Sequence, residues 1–144
     1  MNAMNRNAIN AYAKVGVDGS VAAASPHKLI TMLFEGALHS IAAARGHMQR
    51  KEIAEKGMAI SKAISIIDEG LRASLDLKAG GDLAEKLDSL YEYMSYRLLI
   101  ANMHNEIEIL DEISTLLGDI KSAWVEIDPK KIQASQKTAN PPLR

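Results

Sequence analysis

The stretch from Ala24 to Met48, ASPHKLITMLFEGALHSIAAARGHM, decides the fold. Ser25 offers a side-chain oxygen to the free amide groups of a helix start, and Pro26 at the first helical position lacks an N–H that would be orphaned there anyway. Leu29, Leu33, Ala37, Ile41, Ala44 and Met48 then recur at steps of 4, 4, 4, 3 and 4. A second row of Ile30, Phe34, Leu38 and Ala42 runs beside the first, so the spacing predicts a long helix with a broad apolar face that must be covered by other elements.

The covering elements follow in sequence order. After Pro26 no proline occurs until Pro129, leaving 102 consecutive residues free to be helical. Valine occurs four times and threonine three times, and the isoleucines recur at helical rather than alternating intervals. A second helix is predicted along Ile53, Ile60, Ile64, Ile67, Leu71 and Leu75, separated from the first by a break near residues 50 to 52. It ends at KAGGD, whose glycine pair suits left-handed backbone, with residues 78 to 81 as the turn. Asp82 and Glu85 have capping-box spacing before a third row, Leu83, Leu87, Leu90, Met94, Leu98 and Ala101. Asn105 and Glu108 repeat that pattern before a fourth, Ile107, Leu110, Ile113, Leu117, Ile120, Trp124 and Ile127. Four long helices with short connections pack most simply as an all-α, antiparallel up-down-up-down four-helix bundle.

Three regions are expected: a cap segment and linker over residues 1–24, the bundle over 25–127, and a mobile basic tail over 128–144. The first contains AINAYAKV, residues 8 to 15, an apolar island too short to be a stable helix alone. It is read as a short helical or extended cap that leans on the bundle.

Charge and composition exclude several functions. Residues 25–127 carry 11 Lys and Arg against 16 Asp and Glu, whereas the last 17 residues carry four basic side chains against Asp128. An acidic body repels phosphate backbones and the basic tail has no aromatic residue for base stacking, so nucleic acid is not the expected partner. No apolar run reaches the length of a membrane span, and the opening MNAMNRNAIN is too polar for a secretory signal. Cysteine is absent, which removes disulfides and thiolate chemistry. The expected location is the cytoplasm.

Catalytic and metal chemistry find little footing. A two-metal bundle needs Glu-x-x-His pairs on its core face, and none occurs; Glu35 and His39 share a face but do not close a site, and His47 lies two turns further on. A phosphate-carrying histidine at His27 or His104 lacks a dense polar neighbourhood. A signalling bundle with a phosphorylatable histidine, or a metal-binding bundle, is therefore the alternative to a non-enzymatic binding protein with no cofactor. The tyrosines favour binding: Tyr91, Tyr93 and Tyr96 crowd into LYEYMSYRL, with Tyr93 and Tyr96 on one side of the helix and Tyr91 nearer Leu87, Met94 and Leu98. Aromatic rings with a polar tip suit a half-wet interface.

Taken together, SPHKLITMLFEGAL, KAISIIDEGLRASLD, GGDLAEKLDSLYEYMSYRLLIAN and LLGDIKSAW resemble the flagellar secretion chaperone FliS family, in order, from about Ile9 to Ile127. The resemblance implies a cytoplasmic chaperone that binds the C-terminal segment of flagellin, prevents its premature polymerisation and assists its delivery to the export gate of the flagellar type III apparatus. It further implies that Ile9 and Tyr12 belong to a segment able to pack over the surface flagellin uses. Leu71, Leu75, Tyr91, Met94 and Leu98 are the expected partner-binding positions. Self-association is left open.

Overall fold

A computed structural model describes residues 24–129, and all of their regular structure is helical. Helix α1 spans Pro26–Gln49, α2 spans Ile53–Ser65 and continues as a π-helical segment over Ile66–Arg72, α3 spans Leu77–His104, and α4 spans Ile107–Glu126. The cap segment, with Ile9 and Tyr12, and the tail beyond Pro129 lie outside the described residues.

Helix α1 starts as its sequence requires. Ser25 accepts from the Lys28 amide at 3.1 Å, with proline at the first position. Its row Leu29, Leu33, Ala37, Ile41, Ala44 and Met48 is buried throughout, and Phe34 lies beside it at 1% exposure. The break to α2 falls where expected: Lys51 takes a left-handed φ of 59°, reversing the backbone in place of a glycine.

Neighbouring helices run in opposite directions around the bundle. Between α1 and α2, Gly70 lies over Leu33 and Gly36 over Ile66. Between α2 and α3, Lys56 reaches Asn102 while Arg72 reaches Asp88. Helices α3 and α4 form a hairpin about Asn105, braced by Arg97 on Glu112 at 3.1 Å. Between α1 and α4, Trp124 Nε1 donates to the His27 carbonyl, and Arg45 pairs with Asp111 at 2.7 Å near the other end. The core is aliphatic, with Leu29, Leu33, Phe34, Ile41, Ile60, Ile66, Ile67, Leu71, Met94, Leu98 and Leu110 almost wholly enclosed. Each of these residues contributes roughly 1.5–3 kcal/mol by full burial, before the entropy of ordering it is subtracted.

Several boundaries differ from the sequence reading. The second helical run ends at Arg72 rather than near Leu75, and Ser74 Oγ donates to the Leu71 carbonyl in the turn that follows. Asp76, not Asp82, is the N-cap of α3, accepting from the Ala79 amide at 3.0 Å. A single helical turn then precedes Gly81, whose φ of 55° and ψ of −136° interrupt the helix; only that residue of the expected 78–81 turn is non-helical. Asn105 does not cap α4. It closes α3 in left-handed backbone, and Glu106 stands at the N-cap of α4 without a side-chain cap bond. The rows also need correction at their ends: Ile53, Leu83 and Ile127 are 71%, 68% and 54% exposed, while Ala84 and Tyr91 are buried.

Candidate functional site

The expected partner-binding positions divide by burial. Leu71, Tyr91, Met94 and Leu98 are core residues at 3% exposure or less, and Leu75 is half-buried at the core margin. They are brought together, but as the inner spine of α2 and α3 rather than as an accessible surface. Tyr91 lies 6.5 Å from Phe34 ring to ring, and burial pushes its phenol well above the usual tyrosine range. Tyr93 and Tyr96 sit outside, as the helical phase predicted. The Tyr93 hydroxyl donates to Glu112, which also accepts from Arg97; the shared bond raises the phenol and lowers the carboxyl.

An open groove lies along α2 beside α3. Its lining comprises Ile53, Ala54, Lys56, Gly57, Met58 and Ser61 on α2 and Asn102 on α3. Ile53 and Met58 stand 71% and 73% exposed. On α3 the exposed Tyr96, Leu99 and Met103 recur at steps of three and four, making one apolar stripe next to Asn102 in the helix. Nothing lies within 4 Å of the place a Cβ would take on Gly57, so the groove is open above it. Small residues between large exposed apolar ones give a shape that a partner's apolar side chains can enter, and exposed apolar surface of this kind marks interaction sites.

Lys56 is the polar centre of the groove. It is 4% exposed, and its ammonium donates to the Asn102 carbonyl at 2.9 Å and to Asn105 Oδ1. Both acceptors belong to the C-terminal end of α3, where the helix dipole favours a cation. A second depression shares Lys56 and Ile53 and adds His47, Met48, Lys51, Glu52, Asn105 and Ile107. There Glu52 is engaged by His47 and Arg50, both at 2.8 Å, which hold its carboxyl below the usual range.

Sequence reasoning missed Lys56, Met58, Leu99 and Met103. A usable signal was present for three of them: Met58, Leu99 and Met103 are large apolar residues that fall off the core rows of their helices. No local pattern marks Lys56 as buried.

The histidines give no phosphocarrier geometry at the bundle's helix start. His27 stacks on Trp124 with centroids 4.3 Å apart and rings 4° from parallel, and its Nε2 is enclosed without a hydrogen-bond partner. Among the described residues no group of three His, Asp or Glu could hold a metal ion, and no helix is long and apolar enough to cross a membrane. Glu35, paired in the sequence reading with His39, instead lies 3.6 Å from Lys121.

Comparison with known proteins identifies the family. The family described as flagellar protein FliS matches residues 8–131. The flagellar secretion chaperone FliS of Salmonella typhimurium is 48% identical over 122 residues, covering 85% of this chain and 90% of that protein. The flagellar secretion chaperone FliSB of Pseudomonas aeruginosa is 50% identical over 117 residues, 81% of this chain and 92% of its own length. The FliS of Bacillus subtilis is still 30% identical over 105 residues. The match runs through all four helices and begins ahead of them, at the apolar island around Ile9. This chain belongs to the FliS family of flagellar proteins.

Proposed function

We propose that this protein is a cytoplasmic chaperone for flagellin, acting by binding and without catalysis. It holds the C-terminal segment of flagellin, keeps it from polymerising early, and assists its passage to the flagellar type III export apparatus. The observation that carries the reading is membership in a family whose relatives are named flagellar secretion chaperones. The groove between α2 and α3 supports it. Segments that assemble through apolar helical faces need an apolar surface to hide on, and ordering such a segment costs about 2–5 kcal/mol of the gross interaction, which keeps the complex releasable.

In this reading the buried Leu71, Tyr91, Met94 and Leu98 set the spacing of α2 and α3, and Leu75 lies at the groove margin. The contact surface is Ile53, Met58, Tyr96, Leu99 and Met103. Ile9 and Tyr12 act as a displaceable plug over that surface. Two such side chains contribute at most roughly 1.5–3 kcal/mol each, a scale that competes with flagellin rather than closing the groove permanently.

The test is co-purification of the full-length protein with intact flagellin and with flagellin lacking its C-terminal segment. Retention of the first and loss of the second is expected; equal retention, or none, contradicts the proposal. Replacing Ile9 and Tyr12 together by alanine is expected to tighten flagellin binding measured by calorimetry. An unchanged affinity removes the plug.

A further inference from the structure

Lys56 carries a charge that no side chain of opposite charge in the described fold pairs with, and only the C-terminal dipole of α3 offsets it in part. The residue is 4% exposed, the ammonium's two acceptors in these part-buried bonds are the uncharged Asn102 carbonyl and Asn105 side chain, and no carboxylate among the described residues lies within ion-pair distance. An enclosed cation satisfied only by neutral groups is costly, and a carboxylate supplies both the counter-charge and a shorter, stronger hydrogen bond. The ammonium has three donors, of which two are used. Lys56 lines both the α2–α3 groove and the depression at the end of the bundle, so an occupant of either reaches the same residue.

The surroundings narrow the ligand. Lys51 and Arg50 stand nearby on the turn, and Arg50 is engaged by Glu52, the one described carboxylate lining either depression, which His47 also holds. Ile53, Met58, Met48 and Ile107 supply apolar walls. The body as a whole is acidic, with 11 basic against 16 acidic side chains over residues 25–127, so it repels a polyanion while the local cations, Lys56 with Lys51 beside it, accept a single negative group. Charge complementarity and apolar walls together fit a peptide segment that presents one carboxylate among apolar side chains.

We infer that Lys56 is the anchor of a carboxylate-binding site, taking one acidic group of an apolar partner peptide at its third donor. The inference deepens the flagellin reading and rests on it only for the source of the carboxylate. Asn102 and Asn105 hold the ammonium in place for the incoming group. The carboxylate comes from an acidic side group or from the free terminal carboxylate of the peptide, since the chemistry at Lys56 is the same.

The site is tested with butyrate, an apolar tail bearing one carboxylate, and with butyramide, its neutral analogue, at matched ionic strength. Full-length protein with isotope-labelled lysine is titrated with each, following the Lys56 side-chain resonances, identified by their loss in Lys56→Met. A saturable shift with butyrate and none with butyramide is expected. The same response to both, or no response to butyrate, overturns the site.

A second arm identifies the source. A C-terminal flagellin fragment is prepared with each Asp or Glu changed to its amide, and separately with its terminal carboxylate amidated. One of these changes is expected to weaken binding to the unmodified protein by about tenfold or more, and to leave binding to Lys56→Met unchanged. Equal losses in both proteins overturn the anchor role. If Lys56→Met loses its fold by thermal melting, Lys56→Arg identifies the Lys56 resonances in its place, and the butyrate comparison on the unmodified protein decides. If the parent fragment does not bind at all, the flagellin reading falls, and the butyrate arm still decides the carboxylate site.

Discussion

Lys51 shows how a single residue can carry a turn against its own preference. It holds a φ of 59° between α1 and α2, a conformation that costs an L-residue roughly 1–2 kcal/mol and a glycine little. Lys51→Gly is expected to stabilise the fold by about 0.5–1 kcal/mol, read as a higher midpoint in urea unfolding; a lower midpoint refutes the strain. Gly70 is the converse. A Cβ there would meet Leu33 Cδ2 at 2.9 Å, and Leu33, only 1% exposed, must shift within the core to admit it. Gly70→Ala therefore destabilises by about 1–3 kcal/mol despite its better helix propensity, measured the same way. Legibility in the sequence is uneven at this scale for a physical reason. Ser25 and Pro26 act locally and are readable. Asn105 reads as a cap for the helix after it, yet it closes the helix before it, because Asn serves either end and the choice depends on where the α3–α4 hairpin turns. Lys56 is invisible because its burial is decided by Asn102 and Asn105, nearly 50 residues away.

The elements are legible where one apolar stripe faces the core and less so where the backbone departs from 3.6 residues per turn. The first α1 row appears in the structure residue for residue, whereas in the second Ile30 and Phe34 are buried, Leu38 is half-buried and Ala42 is exposed. In the second helix, Ile66 and Ile67 are both buried, as are Gly70 and Leu71, and adjacent pairs do not fit one narrow α-helical stripe. The π-helical turn over Ile66–Arg72 widens the helix there and brings both pairs inward. Sequence spacing does not reveal it, since Ile60, Ile64, Ile67 and Leu71 also fit an ordinary helix. The start of α3 is misplaced by its sequence because Asp76 and Asp82 both precede apolar runs, and the interruption at Gly81 divides the segment. Asp76 caps the first turn, so Asp76→Ala is expected to cost about 1 kcal/mol, whereas Asp82→Ala leaves the melting temperature nearly unchanged. A loss confined to Asp82→Ala would place the effective cap at Asp82.

Across the whole molecule, the bundle joins an aliphatic core to carboxylates that anchor neighbouring elements. Arg45 holds the Asp111 carboxyl below its ordinary 3.8, while His47 and Arg50 do so for Glu52, and Tyr93 with Arg97 for Glu112, both ordinarily 4.5. A carboxyl depressed in the folded state stabilises it fully above the unfolded pKa, and that contribution disappears as pH falls through the lower folded value. Stability is therefore expected to decline below about pH 4.5 and to keep declining below 3.8. The decline should be gentle, because these side chains are largely solvated, and an Asp111→Asn variant should show a shallower one in thermal melts across pH. At this scale the family is legible from four ordered motifs, and the helical architecture follows from periodicity. The proposed contact surface is not: the residues singled out for contact are mostly core, and of the exposed ones all but Ile53 fall outside the apolar rows. The most direct measurement is calorimetric titration of a C-terminal flagellin fragment into the full-length protein, beside a fragment of equal length from elsewhere in flagellin. Saturable binding of the C-terminal fragment alone is expected; no binding, or equal binding of both, would contradict the chaperone function.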